Sequence, residues 1–236
     1  MKKILILSIC IIFAIQANAQ VSRMLEKGSS GLGIQGSIAT APGYNGFQGK
    51  IGGSLNGKLD GEFIYSKNIN GGKENLLNTD QASYNYYEGR LTYWIFRSEI
   101  TKGIDVNVGA LCVFDAARYK DYLFNDAVTG IENEYLGYTG GALGVEASVN
   151  FRMNEKWSLQ PSINLWYETG RENNKAAGVK KTNWYHSTVS SISLSLVRRL
   201  TSGNAFYVST NQNFWNFDVY NSPLVYELAL GYVFKM

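Results

Sequence analysis

Cysteine, proline, histidine and net charge are all scarce in this chain. Its 236 residues hold 2 cysteines, 3 prolines and 1 histidine. Cys10 falls in an N-terminal apolar stretch and Cys112 stands alone in the remainder. The folded part therefore has no intramolecular disulfide, the staple on which many small exported domains depend. The formal charge is +3, too near neutral to leave a footprint for nucleic acid. Past residue 19 no apolar run approaches the ~18 residues of a spanning helix. CxxC, HExxH, phosphate-cradling glycine loops and calcium loops are all missing, so neither a cofactor nor a metal is expected. Glycine and aromatics are what the chain has in abundance, with 25 Gly, 16 Tyr, 11 Phe and 5 Trp.

Residues 1–19 read as a secretory signal peptide. Lys2 and Lys3 form a short positive region, Ile4 to Ile15 is mostly apolar, and "ANA" at 17–19 supplies small residues ahead of Gln20. Cleavage is expected after Ala19, leaving 20–236 as one domain. Ile9 precedes Cys10 where a lipoprotein signal requires a small residue, which excludes lipidation there. Loss of Lys2 and Lys3 lowers the formal charge to +1.

A period of two runs through the rest, the mark of strands with two unlike faces. Leu32, Ile34 and Ile38 oppose Gln35 and Ser37; Phe47, Ile51 and Leu55 oppose Gln48, Lys50 and Ser54. After Asn56-Gly57, a strong tight-turn pair, Leu59, Phe63 and Tyr65 oppose Asp60 and Glu62. Tyr87, Leu91, Tyr93 and Ile95 oppose Glu88, Arg90 and Thr92, and Ile104 to Phe114 alternates against Asp105 and Asn107. Leu143, Val145, Ala147, Val149 and Phe151 oppose Glu146, Ser148 and Asn150; Leu159, Ile163, Leu165 and Tyr167 oppose Gln160, Ser162 and Asn164. Ile192, Leu194 and Leu196 oppose serines, and 204–217 is the weakest segment. The chain ends on "YELALGYVFKM", with Tyr226, Leu228, Leu230, Tyr232, Phe234 and Met236 on one face.

These are ten strands, most of them long enough to cross a bilayer at a tilt, for which roughly 9–11 residues suffice. The gaps between them alternate. Those near 56–57, 98–102, 153–156 and 200–203 are short. Those near 67–83, 115–135, 168–184 and 216–222 are long and polar, and 41–45 is brief. A closed antiparallel up-and-down transmembrane β-barrel produces this pattern, with eight strands as the alternative if 29–41 or 204–217 pair poorly. A soluble barrel also alternates but carries its apolar face inward. Small residues (Gly33, Gly109, Gly144, Gly231) share parity with the polar ones, as a crowded lumen requires. Tyr65, Tyr87, Tyr93, Phe151, Trp157, Tyr167, Tyr226 and Phe234 fall near strand ends, as interface girdles do. The last strand resembles the C-terminal signature of bacterial outer-membrane barrels, with Phe234 as its aromatic and Met236 in the final place. That resemblance implies a small porin-like membrane protein of the bacterial outer membrane, in contact with its lipid and lipopolysaccharide. It also implies assembly through the barrel-assembly machinery, by way of the C-terminal strand.

On this parity the lumen holds Lys50, Asp60, Glu62, Glu88, Arg90, Asp105, Glu146, Arg152, Glu168 and Glu227. Charges in so narrow a space must pair or keep water, and Arg90 and Arg152 are expected to meet Glu88, Glu146 or Asp105. The expected role is structural or interactive at the cell surface, by a monomer without catalysis, through "NINGGKENLLNTDQAS", "DAARYKDYLFNDAVTGIENEYLG" and "ETGRENNKAAGVKKTN". Lys175, Lys180 and Lys181 form a small basic cluster in the last of these. The alternative is a narrow passive channel. A further alternative is a lipid-modifying enzyme using His186, in "WYHSTVSS". The lipid A deacylase family carries His-any-Ser; here Ser187 is adjacent and Thr188 holds the Ser position, so that pattern is broken.

Overall fold

Nearly every described residue lies in a strand, because small or polar side chains alternate with apolar ones over most of the sequence. The computed structural model describes residues 24–25, 28–41, 44–71, 83–120, 123–125, 132–215 and 225–236. The expected signal peptide at 1–19 lies outside these residues. In chain order the strands are β1 (Gly31–Ala41), β2 (Tyr44–Leu55), β3 (Leu59–Gly71), β4 (Ser83–Thr101), β5 (Ile104–Lys120), β6 (Leu123–Asn125), β7 (Glu132–Arg152), β8 (Trp157–Ala176), β9 (Val179–Arg199), β10 (Ala205–Trp215) and β11 (Val225–Lys235). Each is antiparallel to its neighbours. β1 pairs with both β2 and β11, and β5 pairs with β7, which closes a barrel of ten strands. β6 adds a three-residue ledge beside the start of β7. Around the part of the wall where all ten strands run side by side, closure leaves no strand edge unpaired, the condition for a sheet to cross lipid.

The eight-stranded alternative fails on register. β1 pairs with β11 from Gly31↔Lys235 to Thr40↔Tyr226, and the weakly patterned β10 pairs with β9 along its whole length. Facing follows the parity of the sequence. Ile38, Leu143, Leu228 and Leu230 are exposed on the outer wall, while Lys50, Asp60, Glu62, Glu146 and Glu227 are buried within. No helix among the described residues is long and apolar enough to cross a membrane.

Two findings depart from the sequence reading. The segment 168–184, expected as a long loop, is strand: β8 runs to Ala176 and β9 resumes at Val179. Only Ala177 (φ 50°) and Gly178 (φ 81°) make the turn, the left-handed pair that a two-residue hairpin needs. Beyond the bilayer neither face of a strand must be apolar, so the alternation that marks strand is missing there. Much of 115–135 is strand for the same reason, with β5 reaching Lys120 and β7 starting at Glu132. Asn56 (φ 52°) and Gly57 (φ 59°) form the expected tight turn.

Among the described residues the wall is uneven in height. β4, β5, β7, β8 and β9 have 19, 17, 21, 20 and 21 residues, whereas β1, β2, β3, β10 and β11 have 11, 12, 13, 11 and 11. The second set matches a bilayer crossing; the first is close to twice that.

Candidate functional site

The lumen is filled in layers. At the short-turn end Met24 and Leu25 sit inside the barrel mouth against Val197, Ala205, Tyr207 and Val233. Above them lies a polar network. Tyr207 donates its hydroxyl to Gln35 Oε1 at 2.9 Å, Gln35 donates to Glu227 Oε1 at 3.1 Å, and Lys50 Nζ lies 3.3 Å from that same oxygen. Trp94 Nε1 donates to Asp60 Oδ2 at 2.8 Å and Thr92 Oγ1 to Glu146 Oε2 at 3.1 Å. A bulge between Trp94 and Phe96 shifts the parity of β4. It turns Arg97 inward to donate to Gly57 O at 2.8 Å and Asn107 Oδ1 at 3.1 Å.

A second apolar layer follows, made of Leu111, Val113, Ala142, Trp166 and Val189. Arg90 crosses toward it with its guanidinium 5.3 Å from the Trp166 ring. Arg90 also pairs with Glu88, which accepts from Tyr86 as well. At the long-loop end Tyr185 donates to Glu168, and Tyr138 packs edge-on against Tyr185 at 5.8 Å.

The sequence-derived lumen set therefore divides. Lys50, Asp60, Glu62, Glu88, Glu146 and Glu227 are buried and Arg90 nearly so. Asp105 and Arg152 are corrected to the rim. β5 starts at Ile104 and β7 ends at Arg152, so both side chains are partly in water. There Arg152 Nη2 lies 2.6 Å from Glu99 and 3.2 Å from Asp105. The expected pairing of Arg90 with Glu88 and of Arg152 with Asp105 is present. Glu99 was not singled out from the sequence, because 98–102 reads as a turn while β4 continues to Thr101. Trp94, Trp166, Tyr207, Leu111 and Val113 were also missed as lumen fillers. Their parity with Thr92, Asn164, Ser209 and Asn107 is the signal that marks them.

Among the girdle residues, the Tyr65 and Tyr87 rings pack at a tilt, 5.4 Å apart, across β3 and β4. Tyr87, Tyr93, Phe151, Tyr167 and Phe234 are exposed on the outer wall and Trp157 is partly so. The side chain of Tyr226 lies outside the described residues. His186 is exposed high on β9 opposite Thr169, and alternation turns Ser187 to the other face, opposite Glu168.

Beyond Tyr167 the β8–β9 hairpin is mostly polar outside, with Val179 at its turn and Trp184 as its large exposed apolar groups. Trp184 is 66 % exposed, and the Arg171 guanidinium lies 4.6 Å from its ring centroid. Lys180 and Lys181 are exposed nearer the turn of the same hairpin, and Lys175 bonds Glu134 at 3.2 Å.

No protein-family model and no curated protein matches the chain. Among solved structures it is similar to the translocator domain of the autotransporter NalP of Neisseria meningitidis. Identity is 10%, coverage is 92% of each chain, and the TM-score is 0.50. The chain has the fold of the bacterial outer-membrane β-barrels. It is also similar to the outer membrane protease OmpT of Escherichia coli, at 11% identity, covering 89% of this chain and 94% of that one with a TM-score of 0.40. The attachment invasion locus protein Ail of Yersinia pestis matches at 15% identity, 89% and 100% coverage and a TM-score of 0.36. At such identities the likeness is one of fold, and a barrel scaffold hosts many tasks.

Proposed function

We propose that this chain is a closed-lumen, monomeric barrel of the bacterial outer membrane that presents an interaction surface outside the cell, without catalysis. The observation that carries this is the β8–β9 hairpin. It continues past Tyr167 to the turn at Ala177, which at strand rise and tilt lifts it roughly 20 Å above the girdle. Trp and Arg are among the residues most enriched at the hot spots of protein interfaces, and here an exposed Trp lies under an Arg guanidinium. The tall β4–β9 half of the wall gives that pair a rigid support. The filled lumen favours this role over a passive channel: two apolar layers, with ion-paired and hydrogen-bonded side chains between them, leave little for a solute to follow. The separation of His186 from Ser187 speaks against a lipid-modifying site, and unchanged lipid A in cells carrying His186→Ala would bear that out. Export through residues 1–19, cut after Ala19, and delivery to the assembly machinery by β11 belong to the same reading. So does contact of Lys180 and Lys181 with lipopolysaccharide phosphates.

The test has two parts. Refolded chain, its insertion shown by heat-modifiable gel mobility, should give no discrete conductance steps in a planar bilayer; steps would put the channel first. Cells expressing the chain should be retained on immobilised dextran sulfate, a polyanion matched to Arg171, Lys180 and Lys181. Retention should fall when Arg171→Ala and Trp184→Ala are combined. Equal retention by the variant and the parent would remove the hairpin as the binding surface.

A further inference from the structure

The outer wall carries a feature that the surface role leaves unused. Across β9, β10, β11 and β1 a groove of about 660 Å³ is cut into the apolar exterior near the short-turn end. Register explains its shape. One cross-strand row runs Trp157, Arg198, Phe206, Tyr232, Ile34. The next row toward the bilayer centre runs Leu196, Val208, Leu230, Gly36 and on to Gly49. A Cβ built on Gly36 or Gly49 would meet nothing within 4 Å, while Ile34, Ile38, Phe47 and Ile51 stand out on either side. The floor is therefore apolar and dips at β1 and β2.

The short-turn end of the groove has a different chemistry. Arg198 is exposed there, and its guanidinium lies 5.6 Å from the Trp157 ring centroid. Among the described residues that ring is its one partner. Phe206 packs edge-on to Tyr232 at 4.4 Å, and Asn204 donates to the Tyr232 hydroxyl at 2.9 Å, which fixes the aromatic rim. One residue from the end of β9, Arg198 stands at headgroup depth, where a barrel wall tolerates a cation and lipid phosphates lie within reach. A guanidinium offers the fork of N–H donors that fits a phosphate.

We propose that this groove holds one glycerophospholipid of the inner leaflet, with its phosphodiester on Arg198. One acyl chain lies over Leu196, Val208 and Leu230 and settles into the dip at Gly36. The site rests on the membrane placement of the barrel, and the test separates the two. Wild-type protein is released for native mass spectrometry from micelles doped with equal phosphatidylglycerol and diacylglycerol, the second lacking phosphate. One phosphatidylglycerol should remain bound in preference to diacylglycerol. Arg198→Ala should lower the bound fraction about tenfold, the loss of a charge-assisted hydrogen-bonded pair. Gly36→Leu, which fills the dip, should lower it too; if that variant refolds poorly, Val208→Phe raises the same floor. Both should keep heat-modifiable mobility. Equal lipid retention by Arg198→Ala and the parent would overturn the site, as would binding without preference for the phosphate-bearing lipid. A wild-type dimer that Gly36→Leu dissociates, with no lipid bound, would assign the groove to a second copy of the chain. Failure of the wild type to show heat-modifiable mobility would instead strike the membrane placement itself.

Discussion

Lys50 Nζ and Glu227 Oε1 lie 3.3 Å apart across β1, both buried in the lumen. The two strands that carry them, β2 and β11, are near opposite ends of the sequence and are brought together only by β1 between them. The pair therefore holds closed the seam where the first and last strands of the barrel meet. Glu227 also accepts from Gln35 at 3.1 Å and from Asn211 at 3.4 Å, so its charge is held by three strands besides its own.

Breaking one side of that pair should be far worse than removing both. Lys50→Ala leaves a buried carboxylate without its cation, which typically costs about 3–5 kcal/mol. Lys50→Met with Glu227→Leu removes both charges at similar volume and should cost less than the single change. Urea midpoints of folded protein in micelles, read by tryptophan fluorescence, compare the three. A single variant as stable as the parent would mean that water, not Lys50, balances Glu227.

Gly231 and Tyr207 form a second coupled pair. A Cβ on Gly231 would run into the Tyr207 ring, and that ring must lie flat over the β11 backbone for its hydroxyl to reach Gln35 at 2.9 Å. Gly231→Ala should therefore destabilise by about 1–3 kcal/mol through overpacking. In a Tyr207→Ala background the same change should cost little, because the obstructing ring is gone. A cost that is equal in both backgrounds would show that Gly231 is needed for its backbone and not for the space it leaves.

Much of this architecture is legible in the sequence, and the exceptions have physical causes. Strand number and facing follow from alternation such as Tyr226 to Met236, because lipid on one side and a polar lumen on the other force unlike faces. The reach of β8 and β9 above Tyr167 is hidden, since from Glu168 to Ser187 neither face is consistently apolar and the period disappears. The apolar layer of Leu111, Val113 and Trp166 is masked in another way. These residues stand between outward-facing Ala110, Cys112, Leu165 and Tyr167, so an apolar run conceals which members point in. Partnerships such as Lys50 with Glu227 depend on register between strands far apart in the chain, which parity alone does not carry.

The hairpin turn gives a prediction about local order. Ala177 sits at φ 50°, a left-handed conformation that a Cβ disfavours and that Asn or Gly adopts more readily. Ala177→Asn should make an Asn-Gly turn and stabilise the hairpin tip by roughly 0.5–1 kcal/mol. Because the tip can open without the barrel, amide exchange at Val179 and Lys181 should slow several-fold while the global urea midpoint stays put. Unchanged exchange would mean that the tip is held by contacts other than its turn.

Cys112 tests the facing of the whole wall. It shares the outer parity of β5, with Leu91 and Leu143 as its cross-strand neighbours. Those flanking leucines are exposed on the wall, and so belong to the band that acyl chains cover. As the lone cysteine past residue 10, it reports without background once 1–19 are removed. A water-soluble maleimide added to intact membranes should leave it unmodified, while the same reagent after urea unfolding should label it to completion. A membrane-permeant maleimide gives the intermediate control, since it enters the hydrocarbon that the soluble reagent cannot reach. Rapid labelling by the soluble reagent in intact membranes would place water against Leu91, Cys112 and Leu143. The apolar parity would then line an aqueous exterior, and the membrane assignment would fall with it.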